Sequence, residues 1–150
     1  MPTVSRWIST RLVVIDTNAS IMEAIHLMKE NNIRRLPVVS KGKVVGILTE
    51  KMLKEFAPGK ATSLDTWEVH YLLAKTPVSE AMNPTPHRIT PDTDLAEAAQ
   101  LLHDRKLNGV LVMKGETLVG LFTTTDALQA LTDICREPGL LCGQSPPSIP

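Results

Sequence analysis

The apolar positions of the chain fall into one cycle of strand and helix periods, and that cycle runs twice. Arg11-Leu12-Val13-Val14-Ile15 reads as a short strand, and Ser20-Ile21-Met22-Glu23 has the Ser-x-x-Glu spacing that satisfies free amides at a helix start. Ile21, Ala24, Ile25 and Met28 then fall at i, i+3, i+4 and i+7, which makes one apolar helix face. Leu36-Pro37-Val38-Val39 and Lys43-Val44-Val45-Gly46-Ile47-Leu48 flank Ser40-Lys41-Gly42, a hairpin signal, and Thr49 opens a second helix. Further along, Asp94-x-x-Glu97, the face Leu95, Ala98, Ala99 and Leu102, strands over Val110 to Met113 and Leu118 to Phe122, and Thr123 repeat the order.

The offset between the copies is constant. Gly46 in Val45-Gly46-Ile47-Leu48-Thr49 and Gly120 in Val119-Gly120-Leu121-Phe122-Thr123 lie 74 positions apart, and the same offset pairs Val4-Ser5 with Val78-Ser79, Ile15 with Ile89, Glu23-Ala24 with Glu97-Ala98, Leu27 with Leu101, Val38 with Val112 and Thr49 with Thr123. The expected organisation is a first motif over residues 3–54, a linker over 55–76 and a second motif over 77–130. The linker holds Pro58-Gly59 and a short helix around Thr66 to Ala74, and residues 131–150 read as an irregular tail. A unit of about 50 residues has too little interior to be comfortable alone, so the copies are expected to pack sheet against sheet around one core.

Composition narrows the function classes. The 150 residues carry 16 Lys+Arg against 16 Asp+Glu, and the five aromatics are Trp7, Trp67, Phe56, Phe122 and Tyr71. This balance argues against nucleic-acid backbones, anionic membranes and a base-stacking platform. No apolar run approaches a spanning helix and the first residues lack a signal-peptide core, so a cytoplasmic protein is expected. Cys135 and Cys142 read as reduced thiols. His26, His70, His87 and His103 show no His-x-x-x-His pair, and no metal site is expected. No Gly-x-Ser-x-Gly, Gly-x-Gly-x-x-Gly or Gly-x-x-x-x-Gly-Lys occurs, so no catalytic residues are assigned. Leu53, Phe56 and the stretch Trp67 to Leu73 are candidates either for an interface or for core packing.

The repeat resembles the CBS domain, named after cystathionine β-synthase. The resemblance rests on Ile33-Arg34-Arg35-Leu36-Pro37-Val38-Val39, Gly46-Ile47-Leu48-Thr49-Glu50 and Gly120-Leu121-Phe122-Thr123-Thr124-Thr125-Asp126, with Val78-Ser79-Glu80-Ala81-Met82 and Thr90-Pro91 at the second start. The phrase Tyr71-Leu72-Leu73-Ala74-Lys75-Thr76-Pro77-Val78 is more loosely similar to CBS pairs of acetoin-utilisation regulatory type. The resemblance implies an α+β fold in which two β-α-β-β-α motifs pack pseudo-symmetrically into one CBS-pair module with two clefts. It also implies a regulatory rather than catalytic role, with an adenosine ligand such as AMP, ADP, ATP or S-adenosylmethionine and no other cofactor. A homodimer and an enzyme or transporter partner are the implied assemblies. The alternatives are a nucleotide-free interaction module and an accessory regulator in a catabolic operon of acetoin type.

Thr123 and Asp126 supply two parts of a nucleotide site, a helix N-terminus for phosphate and a carboxylate for a ribose diol. Thr-x-x-Asp is equally a plain capping box. In the family such residues face the first strand and the positions before Pro-Val-Val of the other copy, here Ile8 to Val13 and Ile33-Arg34-Arg35. Arg34 and Arg35 would take phosphate oxygens, or else form a solvated turn, and Ile8, Val13 and Ile33 would hold adenine, or else belong to the core. The other cleft departs from the pattern. Thr49 remains, but Met52 stands where the repeat places Asp126, and Asn108 and Gly109 stand where it places Arg34 and Arg35. His87 leaves weak anion binding open there, and one competent site per chain is expected.

Overall fold

The structure is a computed structural model that describes residues 2–61 and 66–137, with the side chains of 57–61 and 66 left aside. Its elements run β1 (Ile15–Asp16), α1 (Ile21–Asn31), β2 (Arg35–Ser40), β3 (Lys43–Thr49), α2 (Glu50–Ala61), α3 (Thr66–Lys75), β4 (Arg88–Ile89), α4 (Leu95–Asp104), β5 (Gly109–Lys114), β6 (Thr117–Thr123) and α5 (Thr124–Arg136). They form two three-stranded sheets, ordered β1-β2-β3 and β4-β5-β6. The first strand of each sheet pairs parallel with its neighbour. This is the expected mixed α+β fold with its β-α-β-β-α order repeated.

The helix faces follow from their periodicity. Ile21, Ala24 and Met28 of α1 are buried, as are Leu95, Ala98 and Leu102 of α4. The β2–β3 turn takes Lys41 and Gly42 at φ 51° and 80°, the left-handed pair that joins tightly twisted strands in two residues. Buried side chains fall into two clusters where one shared core was expected. One joins Ile15, Ile21, Leu36, Val38, Leu48, Leu53 and Leu73 with Val78, and the other joins Ile89, Leu95, Val110, Val112 and Phe122 with Val4 and Trp7.

Val4, Trp7 and Val78 sit in those clusters because the two lead segments are exchanged. The chain divides into two compact units that are discontinuous in sequence. The segment ending at Thr10 belongs with residues 88–114 and 119–137, whereas Arg11–His87 form the other unit with Gly115–Leu118. In the first unit the Val4 amide donates to Thr93 O (3.0 Å), and the Leu95 amide donates to Pro2 O (2.9 Å). In the second, Val78 donates to Ala19 O (2.8 Å) and Ile21 to Thr76 O (2.9 Å). Each bond is the counterpart of the other at the repeat offset. Farther along, Ser9 and Leu121 exchange two backbone bonds (2.8 and 3.0 Å), as do Asn83 and Ile47 (2.9 and 3.0 Å).

These crossings explain the glycine of each repeat. A Cβ on Gly46 would lie 2.7 Å from Asn83 O, and one on Gly120 would lie 2.8 Å from Ser9 O. Neither glycine is needed for a turn. Each leaves room for the incoming backbone, and a side chain there would push the lead segment off the strand.

Several expectations change. The first strand is two residues long rather than Arg11 to Ile15, because only Ile15 and Asp16 find ladder partners, Val38 and Val39, while Val13 packs against the core beside them. Asp94 makes no side-chain cap, although Ser20 does through the Glu23 amide (3.1 Å); nothing in the structure explains the difference, since the first amide of each helix is taken by a lead-segment carbonyl, Pro2 O at α4 and Thr76 O at α1. Helix α2 continues through Pro58-Gly59 to Ala61, beyond the expected boundary at 54, with Leu53 in the core and Phe56 packed against it just before the proline. Leu53 is thus core rather than interface. Helix α3 buries Leu73 and turns Trp67 (84% exposed) and Tyr71 (68%) outward. Residues 131–136 are helical rather than irregular, because the lead segment holds the end of α5. Trp7 Nε1 donates to Asp133 Oδ2 (2.9 Å), and Arg6 pairs with Glu137 while lying over the Trp7 ring. The rest of the expected tail, with Cys142, lies outside the described residues.

Two outcomes are expected. Gly120→Ala and Gly46→Ala should each destabilise by about 1–3 kcal/mol in urea melts, as overpacking against backbone does, whereas Gly42→Asn at the open turn should cost less. The hydrogen bond from Trp7 holds the Asp133 carboxyl below its ordinary range, with a second bond from Gln129 adding to it. A depressed folded value means that the stabilisation is complete above the unfolded value, about 3.9, and is lost as pH falls through the folded one. Asp133→Asn should therefore be less stable than wild type near neutrality, and the gap should close in acid in urea melts across that range.

Candidate functional site

Phe122, fully buried, precedes Thr123, which ends β6 and is the N-cap of α5 in extended backbone. The Thr123 hydroxyl oxygen accepts from the Asp126 amide (3.3 Å), and the Thr123 amide and hydroxyl both donate to Asp126 Oδ2 (2.9 and 3.0 Å). This is a complete capping box, so the capping reading holds. It also fixes the carboxylate: both bonds fall on Oδ2, and Oδ1 accepts no hydrogen bond among the described residues. A carboxylate held by one oxygen with the other open at a helix N-terminus can receive a hydroxyl donor without rearranging.

The same local design recurs without the carboxylate. At the start of α2, Thr49 Oγ1 accepts from the Met52 amide (3.2 Å), and the Met52 thioether offers no acceptor to match Asp126.

The segment before the middle strand is set by a left-handed stop. Asn32 ends α1 at φ 51°, and Ile33 N then reaches back to Met28 O (2.9 Å), which seats Ile33 against the core. Lys106 (φ 54°) and Leu107 do the same after α4. The stop brings Arg34 O to the Glu50 amide (2.9 Å) and, in the other unit, Asn108 O to the Thr124 amide (3.0 Å).

The candidate residues divide between the units. Ile8, Asn108, Gly109, Thr123 and Asp126 belong to one, and Val13, Ile33, Arg34, Arg35, Thr49, Met52 and His87 to the other. Ile8 and Val13 are partly buried against their own unit's core, which leaves the core reading standing for both. The Arg34 side chain is 82% exposed, Arg35 is half-buried, and His87 and Asn108 are exposed.

Glu50 was not singled out from the sequence. Its Oε2 lies 3.9 Å from Arg34 Nε and its Oε1 lies 2.7 Å from Lys54 Nζ. The Lys54 hydrogen bond and charge, with a smaller contribution from Arg34, hold its carboxyl below the usual range. Glu50-x-x-x-Lys54 is legible as a helical i,i+4 pair; the approach of Arg34 needs the strand-to-helix junction. Among the described residues, no group of three or more His, Cys, Asp or Glu could hold a metal ion. No described helix is long and apolar enough to cross a membrane.

The family description of the CBS domain matches residues 4–59 and 78–133. The chain belongs to the CBS domain family. Both matches begin in the lead segments whose exchange builds the two units. A CBS domain-containing protein of Bacillus subtilis, YhcV, is 28% identical over 128 residues, 84% of this chain and 83% of its own length. The Methanocaldococcus jannaschii protein MJ1404 is 31% identical over 135 residues, 87% of this chain, and the CBS pair spans only 32% of that longer relative. Among solved structures, CBSX2 in complex with AMP has a TM-score of 0.76 at 26% identity, covering 91% of this chain and all of that one. The matched family is a regulatory module.

The cap makes one prediction. Thr123→Ala should destabilise by about 1 kcal/mol, as loss of an N-cap does, and Thr49→Ala should cost less because only half of a box is present there; chemical denaturation checks both.

Proposed function

We propose that this CBS pair senses an adenine nucleotide through the Thr123–Asp126 end of α5 and passes its occupancy to a partner protein. The observation that carries this reading is the difference between the two helix starts. Asp126 offers an open carboxylate oxygen where the other copy has Met52. Oδ1 would accept from the ribose diol and the first amides of α5 would face a phosphate, while Arg34 and Arg35 are assigned to the remaining phosphate charge and Ile8, Val13 and Ile33 to the adenine. That CBSX2, 26% identical, is known in complex with AMP supports an adenosine ligand over others. Thr49, Met52, Asn108, Gly109 and His87 would form no second competent site.

Occupancy becomes a signal only if the ligand binds two states of the pair with different affinity. The assigned partners are a second copy of this chain and a regulated enzyme or transporter. Leu128 and Leu131, 60% and 58% exposed on α5, are apolar surface available to such a contact.

Calorimetric titration of AMP, ADP, ATP and S-adenosylmethionine tests the reading. One site per chain is expected, weakened roughly ten- to hundredfold in Asp126→Ala, as loss of a charge-assisted hydrogen bond predicts. Two equal sites per chain, or undiminished binding in that variant, would contradict it. No thermal shift with any adenosine ligand would favour the nucleotide-free module.

A further inference from the structure

The pair Arg34–Glu50 is superimposed on a backbone contact that does not require it. The bond from the Glu50 amide to Arg34 O recurs in the other unit between Thr124 and Asn108, where neither side chain is charged. The junction therefore folds without an ion pair, and the carboxylate of the first copy calls for another role.

Its placement points to the role. Glu50 is the first residue of α2, so its charge lies at the end of the helix that would otherwise favour an anion, beside the guanidinium assigned to phosphate. The pair is open to water, with the side chains 82% and 43% exposed, and at 3.9 Å it is not a close bidentate clamp. Such a pair is weak and exchangeable, so Arg34 is not locked. Lys54 holds the other carboxylate oxygen at 2.7 Å and keeps Glu50 ionised and in place.

We infer that Glu50 is a specificity-determining residue, a negative charge that competes with incoming phosphate groups for Arg34 and lowers affinity more with each phosphate a ligand carries. This rests on the assignment of Arg34 to the ligand's phosphates. A carboxylate about 6 Å from a phosphate charge in water weakens its binding about threefold, so the penalty grows from mono- to triphosphate. The filter thus disfavours polyphosphate tails without touching recognition of the nucleoside.

The test titrates adenosine, AMP, ATP and inorganic tripolyphosphate into wild type, Glu50→Gln, Arg34→Gln and the double variant, by calorimetry and by the Arg34 Nε–H resonance. Melting curves confirm that the exposed substitutions leave the fold intact. In Glu50→Gln, tripolyphosphate and ATP should bind about three- to tenfold tighter, AMP should gain less, adenosine should be unchanged, and the gain should vanish in the double variant and shrink in high salt. An equal change for every ligand, a gain that survives Arg34→Gln, or tripolyphosphate binding to neither wild type nor Glu50→Gln would overturn the inference. Failure of the nucleotide reading looks different. Adenosine ligands would then bind no better than tripolyphosphate does, while the tripolyphosphate arm still reads Glu50 against Arg34.

Discussion

Everything in this chain depends on two backbone crossings over glycine. The lead segment of each sequence copy leaves its own motif and lies against the last strand of the other, and each crossing brings a carbonyl oxygen within 2.7 Å of where a Cβ on Gly46 would stand and within 2.8 Å of where one on Gly120 would stand. Once the leads are exchanged, the rest is constrained. Pro2 O and Thr76 O take the first amides of α4 and α1, Val4 and Val78 are buried in the two clusters, and Trp7 reaches the end of α5. Each compact unit therefore contains chain from both ends of the repeat. Neither sequence copy, cut at its own boundaries, contains all of its core.

The candidate site inherits its order from that arrangement. Helix α5 is held at its N-terminus by the Thr123–Asp126 box and near its C-terminus by the Trp7–Asp133 bond. Asp126 is thus presented on an element fixed at both ends, which lowers the ordering cost of any ligand it receives. Helix α2 starts on a simpler cap, Thr49 to Met52, and carries Glu50 instead. The two copies share one fold and differ in charge at the positions that meet solvent at their helix starts.

Much of the fold was legible because it rests on local periodicity. The helix faces, the Lys41-Gly42 hairpin and the 74-residue offset each need only neighbouring residues to be read. What was not legible is which copy each lead segment joins. An offset says that Val4 and Val78 are equivalent, not that each is buried in the other's unit. The same blindness explains the helical residues 131–136, held by Trp7 and Arg6 from more than a hundred positions away. At the site, the Thr123–Asp126 box was readable as a four-residue pattern, whereas Glu50 beside Arg34 was not, since their approach depends on where β2 begins against the end of β3.

On the proposed reading, the open oxygen of Asp126 receives the ribose of an adenine nucleotide. A crystal structure of the chain grown with AMP tests it most directly. One nucleotide per chain is expected, with both ribose hydroxyls on the Asp126 carboxylate and the phosphate toward the first turn of α5. A nucleotide seated at Thr49 and Met52 instead, or one whose ribose makes no contact with Asp126, would contradict it.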